Sequence, residues 1–167
     1  MMIDENEFFR QATLRICGNL DFELAMKDCL IFLGSFMPAD RLQLNLYDRG
    51  LSALRTIAIA TPTEATRLNT VLPLDEEGKK FLDGPGLPPV VIRNRVLMDP
   101  VARPIVQRTG RWNDSLMVMH LAVKETKLGN LVLFAEGLDR YSDEHLRLYS
   151  ILYEPFLFLI SYELRFV

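Results

Sequence analysis

Apolar and polar residues change their period several times along the chain. Between residues 4 and 17, Phe9, Ala12 and Ile16 recur at helical spacing, acids fill the first turn and Gly18 follows, which predicts a first helix. Asp21 stands as the cap of a second helix. Its apolar stripe is Ala25, Cys29, Phe32 and Phe36, flanked by Leu33, and Pro38 closes it. The period then drops to two. Leu42, Leu44 and Leu46 point one way and Gln43, Asn45 and Tyr47 the other, as in a half-buried strand, and Asp48-Arg49-Gly50 supplies a turn. Residues 54–60 read as its hairpin partner, and Leu68, Thr70 and Leu72 as a short third strand. A short polar helix is expected over 75–83, then a loop around Gly84-Pro85-Gly86 and Pro88-Pro89, and an inner strand at Val90-Val91-Ile92. Asp99-Pro100 begins a further helix that Pro104 keeps short or kinked. Residues 115–123 and 128–135 form the clearest hairpin, expected at the centre of the sheet. Ser142 caps a last helix running toward Val167, apolar nearly all round from Leu148 onward and bent by Pro155.

Strands joined by short turns imply a mainly antiparallel sheet, and helices at both chain ends can pack together on one face of it. The expected class is α+β, in one domain spanning 1–167. Both faces of the central hairpin are apolar, so the second face needs a cover. That cover is the Pro-, Gly- and Arg-rich segment 72–112, poor in regular structure. A loop-rich lid over a mixed apolar and polar face is the anatomy of a ligand pocket; a filled second core with a polar rim is the other reading. The candidate ligand residues are Gln43, Asn45 and Tyr47 on the first strand, Arg93, Arg95 and Trp112 in the lid, His120, and Val132 and Phe134 as apolar wall. Arg93, Arg95, Arg103, Arg108 and Arg111 offer bidentate contacts to an acidic ligand, or form a solvated loop surface.

Composition narrows the classes. Hydrophobic residues make up 49% and charged residues 25% of the chain, with ten Phe and five Tyr, which excludes disorder. The net charge is −3 and no Lys/Arg run occurs, so direct nucleic-acid binding is not expected. Two cysteines, Cys17 and Cys29, match no metal motif and are expected as buried thiols in a reducing cytosol. Asp4, Glu5 and Glu7 stand where a signal peptide would be basic, and the apolar runs, such as 156–160, are too short for a membrane span, so a cytoplasmic protein is expected. No metal site and no phosphate loop are found; Gly84-Pro85-Gly86 lacks the Lys and Ser/Thr of a P-loop. His145 reads as solvated. His120 would need Asp99 or Asp114 beside it to act, and those two read as a helix cap and a turn residue. The chain is therefore expected not to be an enzyme.

Three stretches carry a family resemblance. Met37-Pro38-Ala39-Asp40-Arg41-Leu42-Gln43-Leu44-Asn45-Leu46-Tyr47-Asp48 resembles the start of a GAF-domain sheet. Ser115-Leu116-Met117-Val118-Met119-His120-Leu121, followed by Lys127-Leu128-Gly129-Asn130-Leu131-Val132-Leu133, is similar to the paired GAF strands around a turn glycine. Arg140-Tyr141-Ser142-Asp143-Glu144-His145-Leu146, with Glu154-Pro155-Phe156, resembles the closing helix of GAF domains at the N-terminus of bacterial sigma-54-dependent activators. The resemblance implies a GAF-like, PAS-related six-stranded antiparallel sheet with the N- and C-terminal helices on one face and the lid on the other. It also implies a role in signal transduction and transcription regulation: sensing a small molecule and controlling an AAA+ ATPase, with a DNA-binding domain further along the same full-length chain. An Asn-Lys…Phe…Asp-Glu cyclic-nucleotide signature is absent. The lid has no cysteine for a bilin or for sulfoxide-reductase chemistry, so the ligand and any cofactor stay unidentified. The chain stops at Glu163-Leu164-Arg165-Phe166-Val167 within its expected last helix and opens on Met1-Met2, as a piece of a longer regulator would. That helix carries more apolar surface than one sheet face covers. The expectation is a homodimer burying Leu152, Phe156 and Leu159, against the alternatives that these fill the domain's own core or that the chain is a ligand-free dimerisation module.

Overall fold

The computed structural model describes residues 3–19 and 21–163; the side chains of residues 108, 109 and 163 are outside what it describes. Helix α1 spans Glu5–Cys17, started by the Asp4 carboxylate, which accepts from the Asn6 and Glu7 amides at 3.0 and 3.2 Å. Its buried stripe is Phe8, Ala12 and Ile16, so Phe8 takes the place expected of Phe9, which is exposed. Cys17 is exposed as well, a correction to its reading as a buried thiol; Cys29 is buried as expected. Helix α2 spans Phe22–Leu33. Asp21 holds its N-cap position without a capping hydrogen bond, its carboxylate turned toward Arg67 at 3.4 Å. Phe36 lies beyond the helix and closes an aromatic cluster with Phe8 and Phe32, the ring centroids 5.1–5.4 Å apart.

Strands β1 (Arg41–Asp48), β2 (Ala53–Ala60), β3 (Ala65–Pro73), β4 (Val90–Arg93), β5 (Asp114–Val123) and β6 (Thr126–Glu136) form one sheet in the order β3-β2-β1-β6-β5-β4, with every pairing antiparallel. Two placements differ from expectation. The β5–β6 hairpin is interior, but β1 rather than β5 shares the centre with β6. The run Val90-Val91-Ile92 is an edge strand bonded to β5 alone, a short pass along the outer side of β5 within the lid segment.

Helices α1 and α2 pack on one face with the C-terminal segment, around Leu42, Leu44, Met117, Met119, Leu131 and Leu133. That segment is two helices, α5 (Asp143–Ser150) and α6 (Tyr153–Glu163). Pro155 has no amide hydrogen for the Ile151 carbonyl, so a continuous helix would lose a bond and gain a clash there. The chain breaks at 151–152 instead, and Pro155 falls in the first turn of α6, where its missing donor is harmless. The Tyr149 hydroxyl donates to the Leu131 carbonyl at 3.0 Å, tying α5 to β6. Leu152 and Phe156 are fully buried and Leu159 is 8% exposed, all inside this core. The expectation that they form a dimer contact is corrected. The inward face of α6 closes the core against the sheet, α1 and α2, so these three side chains are not free for a partner, whereas Phe158 on its outward face is exposed.

The other face carries helix α3 (Glu76–Asp83), a 3-10 turn at Val96–Met98 and helix α4 (Arg103–Thr109). Asp99 organises this lid. One carboxylate oxygen accepts from the Val101 and Ala102 amides, both at 2.9 Å, and the other from Arg93 Nε at 3.3 Å. Among the described residues no helix is long and apolar enough to cross a membrane.

Candidate functional site

Strand register builds the lid-side face of the sheet row by row. Opposite neighbours run His120–Asn130 between β5 and β6, Asn130–Asn45 between β6 and β1, and Asn45–Thr56 between β1 and β2. Four polar side chains thus stand in one line across four strands. The Asn45 amide donates to Asn130 Oδ1 at 2.8 Å, and Asn45 Oδ1 accepts from the Thr56 hydroxyl at 2.7 Å and from Gln43 Nε2 at 3.0 Å. Asn45, Thr56, His120 and Asn130 are all buried; hydrogen bonding among Asn45, Thr56 and Asn130 offsets much of the cost of taking those three out of water, and His120 has no share in it. Two residues along each strand the row is apolar on β5 and β6 and polar on β1, Val118 beside Val132 and Val132 beside Gln43. Two further along stand Leu116, Phe134 and Arg41.

Between these rows and the lid lies a cavity of about 300 Å³. Its floor is Gln43, Asn45, Asn130, Val132 and Phe134, and its roof includes Val96, Ala102 and Val106. His120 lies at one end; Arg41, Arg111 and Asp114 lie at the other. The second end meets an outer cleft that shares Arg41, Arg111, Asp114 and Phe134 with the cavity and carries the exposed Trp112. The size is at the lower limit of small-molecule sites.

Burial sets the electrostatics. His120 is pushed down to about 4 by burial, with Arg93 and Lys127 adding to the fall and Asp99 opposing it, so the ring is neutral at pH 7; its Nε2 has no hydrogen-bond partner. Arg41 is pushed down to about 10, again by burial first and then by the Arg111 charge, against the pull of Asp114. Its guanidinium carbon lies 3.9 Å from the centroid of Phe134, and its buried Nε has no acceptor. Burial also raises Asp114, with Arg41 and Arg111 pulling the other way.

Of the residues singled out in the sequence, Gln43, Asn45, His120, Val132 and Phe134 line this cavity, while Tyr47, Arg93, Arg95 and Trp112 do not. Tyr47 lies past its end, where its hydroxyl donates to Asp83 at 2.7 Å. Arg93 is bound to Asp99 and Arg95 to Asp139 at 3.0 Å in an exposed pair, so both are spent on structure. Arg103 likewise pairs with Glu77, and the Arg108 side chain is outside those described. Arg111, one of the five lid arginines, and Asp114 line it too, and the site adds Arg41, Thr56 and Asn130. Arg41 shares its strand parity with Gln43 and Asn45, and Asn130 interrupts an apolar strand; those were the signals available. His120 makes no hydrogen bond to Asp99 or Asp114 among the described residues, and no group there of three or more His, Cys, Asp or Glu could hold a metal ion. His145 closes the N-terminal box of α5, its Nδ1 accepting from the Ser142 amide at 3.1 Å.

No protein-family model matches the sequence, and no curated protein matches it. Solved structures do match, over nearly the whole chain. The GAF domain of a phosphoenolpyruvate-protein phosphotransferase from Coxiella burnetii superposes with a TM-score of 0.65 at 17% identity, covering 95% of this chain and 93% of that one. The fold is that of GAF domains. The chromophore-binding domain of an unusual bacteriophytochrome from R. palustris is similar as well, with a TM-score of 0.65 at 12% identity over 93% of this chain; the chain spans 60% of that domain's length. The third is free methionine-R-sulfoxide reductase from Neisseria meningitidis, in complex with its substrate, with a TM-score of 0.67 and 14% identity over 100% of this chain and 96% of that one. This last match overturns the expectation that the chain is not an enzyme. The GAF fold serves a reductase as well as sensor domains and gives no ground for excluding catalysis.

Proposed function

We propose that this chain is the small-molecule-sensing module of a longer cytoplasmic bacterial regulator, in which ligand occupancy controls a downstream AAA+ ATPase and so transcription. The observation that carries the sensing part is the cavity: it lies between sheet and lid, apolar in the middle and polar at both ends. Among the GAF-fold neighbours, one domain is chromophore-binding and another protein holds its substrate. The ATPase and DNA-binding partners rest on the likeness of the Arg140–Leu146 and Glu154–Phe156 stretches to sigma-54-dependent activators. Gln43, Asn45, His120, Val132 and Phe134 are the proposed contacts retained from the sequence. In a homodimer the outward side chains Phe9, Leu14, Ile31 and Phe158, all exposed, are the ones open to a second copy.

Native mass spectrometry of the purified protein tests the sensing reading. The expected result is a non-covalent small molecule retained by the chain and lost in Ala102→Phe, which adds a ring to the cavity roof. A chain that carries nothing, together with an Ala102→Phe variant that is only more stable, would mean the space is unfilled packing and the module is structural.

A further inference from the structure

The two ends of the cavity differ in chemistry, and the difference specifies an occupant. Arg41 and Arg111 form no ion pair among the described residues, whereas Arg55, Arg93, Arg95 and Arg103 each hold a carboxylate. Arg41 is the more demanding of the two: half-buried, flat against Phe134, with a donor hydrogen on Nε that meets neither acceptor nor water. Asp114 pulls on this charge but shares its field with Arg111, and a ligand carboxylate beside the two guanidinium groups would lower the cost of holding them away from water. Asp114 lines the same end, and Asp40 and Glu136 line the adjoining cleft. At this end two unpaired cations face the single carboxylate of Asp114, Asp99 being bound to Arg93, which leaves room for one negative charge. A phosphate monoester, carrying about −2 at neutral pH, would exceed it. At the opposite end the buried His120 Nε2 has no partner, beside the Asn130 and Asn45 amides. Arg41 and Asn45 are four residues apart on β1, so the two ends are separated by about 13 Å at the backbone, and the stretch between is Leu116, Val118 and Val132 facing Val96 and Val106.

We propose that the cavity takes a small monocarboxylic acid with an apolar body and a hydrogen-bonding group at its far end, the carboxylate received by Arg41 and Arg111 and the far group by His120. This rests on the reading of the cavity as a ligand site. A neutral ligand would leave two guanidinium charges against the one carboxylate of Asp114, and a purely aliphatic acid would leave His120 Nε2 unpartnered.

Isothermal titration calorimetry tests the class with para-hydroxyphenylacetate, phenylacetate and hexanoate, their neutral counterparts phenylacetamide and hexanamide, and phenyl phosphate. The acids are expected to bind at least roughly tenfold more tightly than the amides, and phenylacetate more tightly than phenyl phosphate. Arg41→Gln should abolish the preference for acid over amide. Asp114→Asn, which removes a like charge without truncating the site, should strengthen acid binding and serves as the readout if Arg41→Gln does not fold. His120→Leu should erase the advantage of para-hydroxyphenylacetate over phenylacetate and leave phenylacetate itself bound. Amides or phenyl phosphate binding as well as the acids would overturn the carboxylate class while leaving the cavity a ligand site. So would silence toward every probe from a protein that retains another molecule by mass spectrometry. Silence toward every probe with nothing retained overturns both readings.

Discussion

Acid should weaken this fold through His120. The unfolded chain holds the imidazole near its ordinary value of ~6.5, while burial in the fold pushes it down to about 4. Between those values the unfolded chain binds a proton that the folded chain refuses. The contribution of His120 to stability is therefore complete above about pH 6.5, declines as the pH falls and is exhausted near pH 4. A shift of about 2.5 units corresponds to ~3 kcal/mol in total, of which roughly 2 kcal/mol is gone by pH 5. That is a large share of the 5–15 kcal/mol typical of a domain. Because His120 is only 8% exposed, solvent screening takes little from it. Carboxylates also lower stability in acid, so the measurement is a difference. Urea unfolding at about pH 7.5 and about pH 5 is compared for the native chain and for His120→Gln, which keeps a hydrogen-bonding amide but has no proton to gain. The native chain should lose ~2 kcal/mol more than the variant across that interval. Parallel losses in the two proteins would refute the reasoning and would mean that the ring is solvated or that its proton finds a partner in the fold.

Two further substitutions test the core and the sheet. Phe156→Ala should cost ~3–5 kcal/mol in urea or thermal unfolding without changing the sedimentation coefficient, whereas Phe158→Ala, at a position 67% exposed, should stay within ~0.5 kcal/mol; a Phe156→Ala variant that changes assembly but keeps its stability would restore the dimer reading. Gly129→Ala should melt well below the native chain and expose the β1–β6 amides to hydrogen exchange, because Gly129 has φ +154° and an added Cβ would lie 2.0 Å from the Asn45 carbonyl oxygen; melting within ~2 °C of the native chain would show that the strands can separate at no cost.

Local chemistry made the elements readable from the sequence, and global geometry decided what they touch. The period-two run at 41–47 and the hairpin at 115–135 became strands of the sheet, since alternation records which face is wet. The same alternation put Tyr47 with Gln43 and Asn45, but parity says nothing about where along a strand a lid ends, and Tyr47 lies beyond it. The arginines of the lid were read by composition. Their roles depend on partners far away in sequence, such as Asp139 for Arg95, and Arg41, which lies outside the lid on β1, carries no such compositional mark. Leu152, Phe156 and Leu159 show the limit most clearly. A helix apolar all round is compatible with an interface or with burial on every side, and only the positions of α1 and α2 decide.

The arrangement of the sheet also bears on how an occupied cavity would be felt on its helical side. A ligand acts only through different affinity for two states, so a cavity that senses must be joined to something that moves. Strands β1, β5 and β6 present polar and apolar rows to the cavity from alternate residues, and the residues between them, Leu42, Leu44, Met117, Met119, Leu131 and Leu133, enter the core against α1, α2 and α6. The shortest link runs through β6. Asn130 holds Asn45 in the polar row, and its neighbour Leu131 accepts the buried Tyr149 hydroxyl of α5. A shift of β6 that accommodates a ligand at Asn130 therefore acts on a hydrogen bond whose other end is the helix leading into α6. Tyr149 has no water to turn to if that bond opens, which makes the coupling costly to break and gives the C-terminal helices the shortest path to the cavity.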